Sequence, residues 1–397
     1  MRILQVHNYF QQWGGEDEQT EHELRLLKSY NHTVQLYSRH NNEIKDYGSV
    51  RKGLLFLETT WSYRSYREMR KIIKTFKPDI VHFQNFFPLI SPSAYYACSS
   101  LNVPCVQTLH DYRMICPMGN MVRNGIPCEE CRSHSLLKSI QYACYRNSRI
   151  QSASVALMLK VHRLLKTWTQ NIDGFIAVSE FSRRKFIEAG IPNHAIEVRP
   201  NFLDGDPGPG KHTRSHAIFV GRLEQQKGVQ TLLQAWQQLP HIPLIVIGKG
   251  PLGSWAADYI RENNLRHITL VGFVPFEQVL EYLKRSMFLV MPSTWYETFG
   301  RTIIEAFATS TPVIASRLGA MAELVSDQQN GLLFNPGDSS DLACKAQYLA
   351  SHPFEVDRLG KAARLEFTDK YTSQIAHSRL IEIYDKVISA KLAINAL

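Results

Sequence analysis

The chain has 397 residues, 44% of them hydrophobic and 20% charged, and a formal net charge of +9. It is longer than an ordinary single domain of ~100–200 residues, and its composition excludes a mainly disordered chain. The excess charge lies in one half: residues 1–200 carry 26 Lys and Arg against 17 Asp and Glu, while residues 201–397 carry 19 of each.

In chain order, Ile3–Val6 reads as a strand and Glu18–Tyr30 as a helix, with Thr33–Tyr37 the next strand. Tyr63–Phe76 places Tyr66, Met69, Ile73 and Phe76 at helical spacing. Ile80–Phe83, Val103–Thr108 and Gly174–Val178 follow as strands. The segment 200–210 holds Pro207, Pro209 and three glycines and reads as a linker. The alternation then restarts, with strands at Ala217–Val220, Leu244–Ile247, Ile268–Leu270, Phe288–Met291 and Pro312–Ala315 and a helix at Val229–Leu239. Ser373–Ala396 reads as a terminal helix returning to the first half. The expectation is an α/β protein of two Rossmann-like, doubly wound domains facing across a cleft. The first comprises residues 1–200, joined by residues 373–397, and the second comprises residues 201–372.

No run reaches the ~18 apolar residues of a spanning helix, since 150–165 is interrupted by Lys160, His162 and Arg163. The opening residues lack the charged, apolar and small-residue order of a secretory leader. A cytoplasmic chain with reduced cysteines is therefore expected. The basic first half fits a solvated surface, or peripheral contact with the anionic inner face of the plasma membrane. The helix 63–76, with Arg64, Arg67, Arg70, Lys71, Lys74 and Lys77 around an apolar face, is one candidate for that contact, although its apolar face reads first as core. No nucleic-acid-binding module is recognisable.

Ligands of open parallel sheets bind beyond the C-terminal strand ends, and the motifs follow strands. Gly221-Arg222-Leu223 with Lys227-Gly228 puts two cations where a helix begins, a place suited to a diphosphate. Glu297-Thr298-Phe299-Gly300 leads to Glu305 eight positions on, and the two carboxylates are suited to sugar diols. Gly14-Gly15-Glu16 and Thr108-Leu109-His110-Asp111 follow strands of the first half. Each motif alone fits a turn or a solvated charge equally well. Gly248-Lys249-Gly250-Pro251-Leu252-Gly253 matches a dinucleotide fingerprint, but the acid expected ~20 positions on is missing, the nearest being Glu277, and Pro251 lacks an N–H. Asp204-Gly205-Asp206 reads as linker and not as a metal motif.

In this order and spacing the motifs resemble family 4 of the retaining glycosyltransferases, which have the GT-B fold. The resemblance covers nearly the whole chain, with Asn201 and Ser179-Glu180-Phe181-Ser182 matching further family positions. It implies that Arg222 and Lys227 bind the donor diphosphate and that Glu305 holds the ribose. Glu297 is implied to contact the transferred sugar as a catalytic residue, with His110 facing the donor sugar. Gly15, Thr298, Phe299 and Gly300 would belong to the donor site, and backbone at Phe273 and Val274 would meet the base. The implied reaction passes a sugar from a UDP- or GDP-sugar to a hydroxyl, without a metal, in surface polysaccharide or glycolipid synthesis. The acceptor would be a lipid-linked glycan. The competing readings are an NAD-dependent oxidoreductase, resting on the Gly248 pattern, and a nucleotide-sugar-binding protein without catalysis.

Cys116, Cys128, Cys131 and Cys144 form C-x11-C-x2-C-x12-C. One half has zinc-site spacing. The other half does not, so no cofactor is expected to be required, and a structural zinc is the less favoured reading.

Overall fold

The computed structural model describes residues 1–133, 135–210 and 214–395. Contacts divide the chain into two compact units. The first is Met1–Met121, Glu129–Asn201 and the residues from Ala376 onward, and the second is Val122–Cys128 with Phe202–Ile375.

The first unit is built on strands β1 (Arg2–Tyr9), β2 (Thr33–His40), β3 (Ile80–Phe83), β4 (Cys105–Leu109), β5 (Gly174–Ala177) and β6 (Ile196–Val198). All neighbours are parallel, in the order β2-β1-β3-β4-β5-β6. The strands are short apolar runs because helices cover both faces of such a sheet. The helix after β1 begins at Gly15, earlier than periodicity suggests, because Asp17 folds back to accept the Gly14 N–H at 3.1 Å.

The helix Tyr63–Phe76 starts at Ser62, whose hydroxyl accepts the Ser65 N–H at 3.2 Å, and stops at Lys77 in the left-handed region before Pro78. Met69 and Ile73 are fully buried. The apolar face of this basic helix is therefore spent on the core and is not offered to a membrane. The segment 150–165, weighed above as a span, lies in the amphipathic helix Arg149–Leu164, which buries Val155, Met158 and Leu159 and exposes Ile150 and Leu164. Among the described residues, no helix is long and apolar enough to cross a membrane.

The helix Ser373–Asn395 completes the first unit. Its Leu380, Ile383, Tyr384 and Val387 join Ile3, Leu27, Ile80, Val106 and Ile176 in one cluster. The Tyr384 hydroxyl hydrogen-bonds with His82 Nδ1 at 2.6 Å, and Lys391 pairs with Asp173 at 2.8 Å.

The second unit holds β7 (His216–Val220), β8 (Leu244–Ile247), β9 (Ile268–Gly272), β10 (Ser286–Met291), β11 (Val313–Ser316) and β12 (Gly331–Phe334). They are again all parallel, in the order β9-β8-β7-β10-β11-β12. The helix Val229–Trp236 packs Val229, Leu232, Leu233 and Trp236 into the core. It ends before Leu239 because the chain bends back, letting the Trp236 indole donate to the Ile242 carbonyl at 3.0 Å.

Candidate functional site

The two motifs of the second unit follow β7 and β10, neighbouring strands at the point where the strand order reverses. Open parallel sheets gather ligands at such a point. After β7 a turn spans Gln225–Lys227, and Gly228 takes φ 72° before the next helix. A β-carbon on Gly228 would lie 1.9 Å from the Pro292 carbonyl oxygen, so only glycine lets this turn close on the exit of β10. The contact continues where Thr294 N–H donates to the Gln226 carbonyl at 2.9 Å.

That approach brings Lys227 to Glu297. Lys227 Nζ donates to Glu297 Oε1 at 2.6 Å. The same oxygen accepts the Ser293 hydroxyl and the Trp295 indole N–H, each at 2.8 Å. Glu297 is buried, while the Lys227 side chain keeps 24% exposure and lies 5.5 Å from the centre of the Trp295 ring. Three donors on one oxygen fix the carboxylate, and the ammonium remains open to an incoming anion.

Arg222 stands on the same loop but is 62% exposed and pairs with Glu224. Its described partner is thus Glu224 and not Glu297. Gly300, at φ 105°, opens the helix Arg301–Ala308. That helix carries Glu305, buried and 3.4 Å from Arg301. Phe299 is a core residue, set edge-on to Tyr371 at 6.0 Å. Thr298 and Val274 are half-buried, and Phe273 is 73% exposed just beyond β9.

The Gly248 pattern has a packing reason. A β-carbon on Gly248 would lie 1.9 Å from the Gly221 carbonyl oxygen, and one on Gly250 would lie 2.5 Å from that of Leu223. These glycines let two neighbouring loops touch, which removes the observation behind the oxidoreductase reading. Asp206 is held by Arg364, with Nη1 donating to Oδ1 at 2.6 Å, and also accepts the Gly208 N–H at 2.9 Å, so it is an anchored linker residue.

In the first unit, Gly15 opens the helix after β1, and Asp17 ties that turn by accepting from Phe10 N–H at 3.3 Å and His7 Nε2 at 2.8 Å. His110 follows β4 and donates from Nε2 to Gln84 Oε1 at 2.7 Å. Gln84 in turn donates to Glu23 Oε1 at 2.5 Å, which fixes its amide and hence the His110 tautomer. Burial keeps the His110 imidazole neutral, down at about 3. Burial opposes the charge on Glu23 too, but Arg199 and His82 outweigh it and bring the carboxyl to about 2. Glu23, Gln84, His82 and Arg199 carried no motif signal. They are polar residues inside apolar-looking segments, and their partners are distant in sequence. Glu16, Asp111 and Arg113 share one small recess with His110. Burial, helped by Asp111 and Asp17 and opposed by Arg113, raises the Glu16 carboxyl well above its usual range.

None of the four cysteines is in a disulfide. Cys116, Cys131 and Cys144 belong to the first unit and Cys128 to the second. Among the described residues, no group of three or more His, Cys, Asp or Glu could hold a metal ion.

Two family models match in succession: Glycosyltransferase Family 4 over residues 13–206 and Glycosyl transferases group 1 over residues 207–366. The chain belongs to the group 1 glycosyltransferases. An uncharacterised glycosyltransferase of Methanocaldococcus jannaschii is 26% identical over 390 residues, covering 98% of this chain and 99% of the relative. The phosphatidyl-myo-inositol mannosyltransferase of Mycobacterium leprae is 28% identical over 255 residues, 60% of this glycosyltransferase and 66% of the relative. Among solved structures, a glycosyltransferase of Rickettsia africae superposes with a TM-score of 0.68 at 20% identity, covering 98% of each chain. Anabaena HepE, in complex with UDP, gives a TM-score of 0.68 at 18% identity over 97% of this chain and 100% of HepE. The two parallel sheets of this glycosyltransferase are those of the GT-B fold.

Proposed function

We propose that this glycosyltransferase takes a sugar from a UDP- or GDP-sugar and passes it, with retention and without a metal ion, to a hydroxyl of a lipid-linked glycan. The observation that carries this reading is the Lys227–Glu297 pair at the strand-order reversal, 2.6 Å apart. The UDP bound by the structural relative HepE supports a uridine donor. The lipid acceptor named by the mycobacterial relative supports a glycolipid or surface-polysaccharide product. The basic first half suits work at an anionic membrane face.

As the bond between sugar and diphosphate breaks, negative charge grows on the leaving phosphate. Lys227 and Arg222 stabilise it, as preorganised donors do elsewhere. Glu297, fixed by its donors, receives the sugar hydroxyls, and Glu305 receives the ribose diol. His110 presents a neutral imidazole to the donor sugar. The acceptor hydroxyl attacks from the face that the phosphate leaves and gives its proton to the departing phosphate oxygen, so configuration is retained and no covalent nucleophile is needed.

The test is to mix the protein with UDP- and GDP-sugars and a phospholipid or lipid-phosphate acceptor. Nucleoside diphosphate release should survive EDTA, and the product should keep the donor's anomeric configuration by NMR. Inversion, or a loss of activity that magnesium restores, refutes the mechanism.

A further inference from the structure

We propose that a cavity in the first unit, between the helices Ser49–Glu58 and Arg149–Leu164, holds the apolar chain of a phosphate-bearing acceptor, with Lys52 and Arg146 meeting the phosphate. This rests on the glycosyltransferase reading above and names the part of the acceptor that the protein recognises.

The cavity has a volume of about 340 Å³ and is walled by Leu55, Phe56, Phe87, Tyr145 and Val155. That size lies within the ~300–1,000 Å³ of small-molecule sites, which are mostly apolar with a few placed polar groups. Here the charged groups are all of one sign. Lys52 and Arg146 line the cavity, both are exposed, and no acidic residue is among its lining. The helix on one side has no fully buried residue, and its half-buried Leu55 and Phe56 line the cavity. These apolar side chains border an open space that an apolar chain would fill. Ile150, 74% exposed, continues the apolar lining at the rim.

The cavity also adjoins the polar recess of His110. The Arg113 guanidinium lies 4.3 Å from the Phe87 ring centre and 5.1 Å from that of Tyr145, two walls of the cavity. Arg113 in turn lines the recess with His110, Glu16 and Asp111. An acceptor chain in the cavity therefore lies next to the recess that holds His110.

The test is calorimetric titration of the full chain with decyl phosphate, decanol and inorganic phosphate. Decyl phosphate should bind at least about tenfold more tightly than either other probe. The double variant Lys52→Glu, Arg146→Glu and the single variant Ile150→Asp should each weaken it about tenfold. All three positions are exposed, so the melting temperature should not change. Equal affinity for decanol, equal affinity for inorganic phosphate, or indifference to these variants overturns the proposal. A protein that releases nucleoside diphosphate but ignores decyl phosphate refutes the cavity alone. One that binds decyl phosphate but releases no diphosphate from any donor refutes the transferase reading instead.

Discussion

Lys227 and Glu297, 70 positions apart in sequence, share a hydrogen bond of 2.6 Å at the ends of two adjacent strands. The lysine holds the carboxylate before a donor arrives, so the two residues act as a unit. Lys227→Ala should lower kcat/KM by a factor corresponding to ~2.7–4 kcal/mol, the cost of one lost oxyanion donor. Glu297→Gln should cut kcat to a similar or greater degree. The double variant should be far from additive, because each single change already breaks the pair. Steady-state kinetics of the three variants checks this, and simple multiplication of the two effects would contradict it.

Gly228→Ala tests the contact that creates the pair. Its β-carbon would meet the Pro292 carbonyl at φ 72°, so the turn must move. Backbone strain of this kind costs ~1–3 kcal/mol. Urea unfolding should show that loss together with weaker donor binding. A variant of wild-type stability and donor affinity would mean that the two loops are not coupled.

Glu305 is buried in the helix Arg301–Ala308 and lies 3.4 Å from Arg301. Glu305→Gln should mainly raise the donor KM, by about tenfold, or roughly 1.4 kcal/mol. Turnover at saturating donor should change much less. Abolished kcat with unchanged donor binding would move the role of Glu305 from ribose to chemistry.

Acid should weaken the first unit in two stages. His110 sits at about 3 against an ordinary 6.5, because burial disfavours its charged form. Glu23 sits at about 2 against 4.5, because Arg199 and His82 outweigh its burial. For both groups the unfolded chain takes up the proton first. The stability that these two groups contribute is therefore full at neutral pH and declines as pH falls, from 6.5 to about 3 for His110 and from 4.5 to about 2 for Glu23, while Glu16, held above its usual range, acts in the opposite direction. The share from Glu23 is ~3 kcal/mol. The urea midpoint should drop steadily from pH 7 to pH 3, and His110→Gln should flatten the part above pH 4.5. A midpoint independent of pH would contradict both assignments.

The sheet strands other than β6 and β12, and the helix Tyr63–Phe76, are legible in the sequence because they rest on local patterning, and that helix runs between the expected residues. The helix Ser49–Glu58 is not legible as a core element, since none of its residues is fully buried. The Gly248 pattern misleads for a physical reason: glycine serves equally where backbone approaches a phosphate and where it approaches another loop. In the site, the order of Lys227 and Glu297 is visible but their contact is not, because it depends on the fit of Gly228 against Pro292. The support beneath His110 is less visible still. Glu23 reaches Arg199 across 176 positions, and no local pattern marks such a partner.

The joining of Tyr384 to His82 has a consequence for biosynthesis. The central sheet of the first unit is complete by β6, yet the cluster beneath it lacks Leu380, Ile383, Tyr384 and Val387 until the strands of the second unit have been made. Domains ordinarily fold from the N-terminus as they emerge from the ribosome. Here the second unit has its six parallel strands before the first can close its core, so β1 waits on the ribosome for a helix made after another domain.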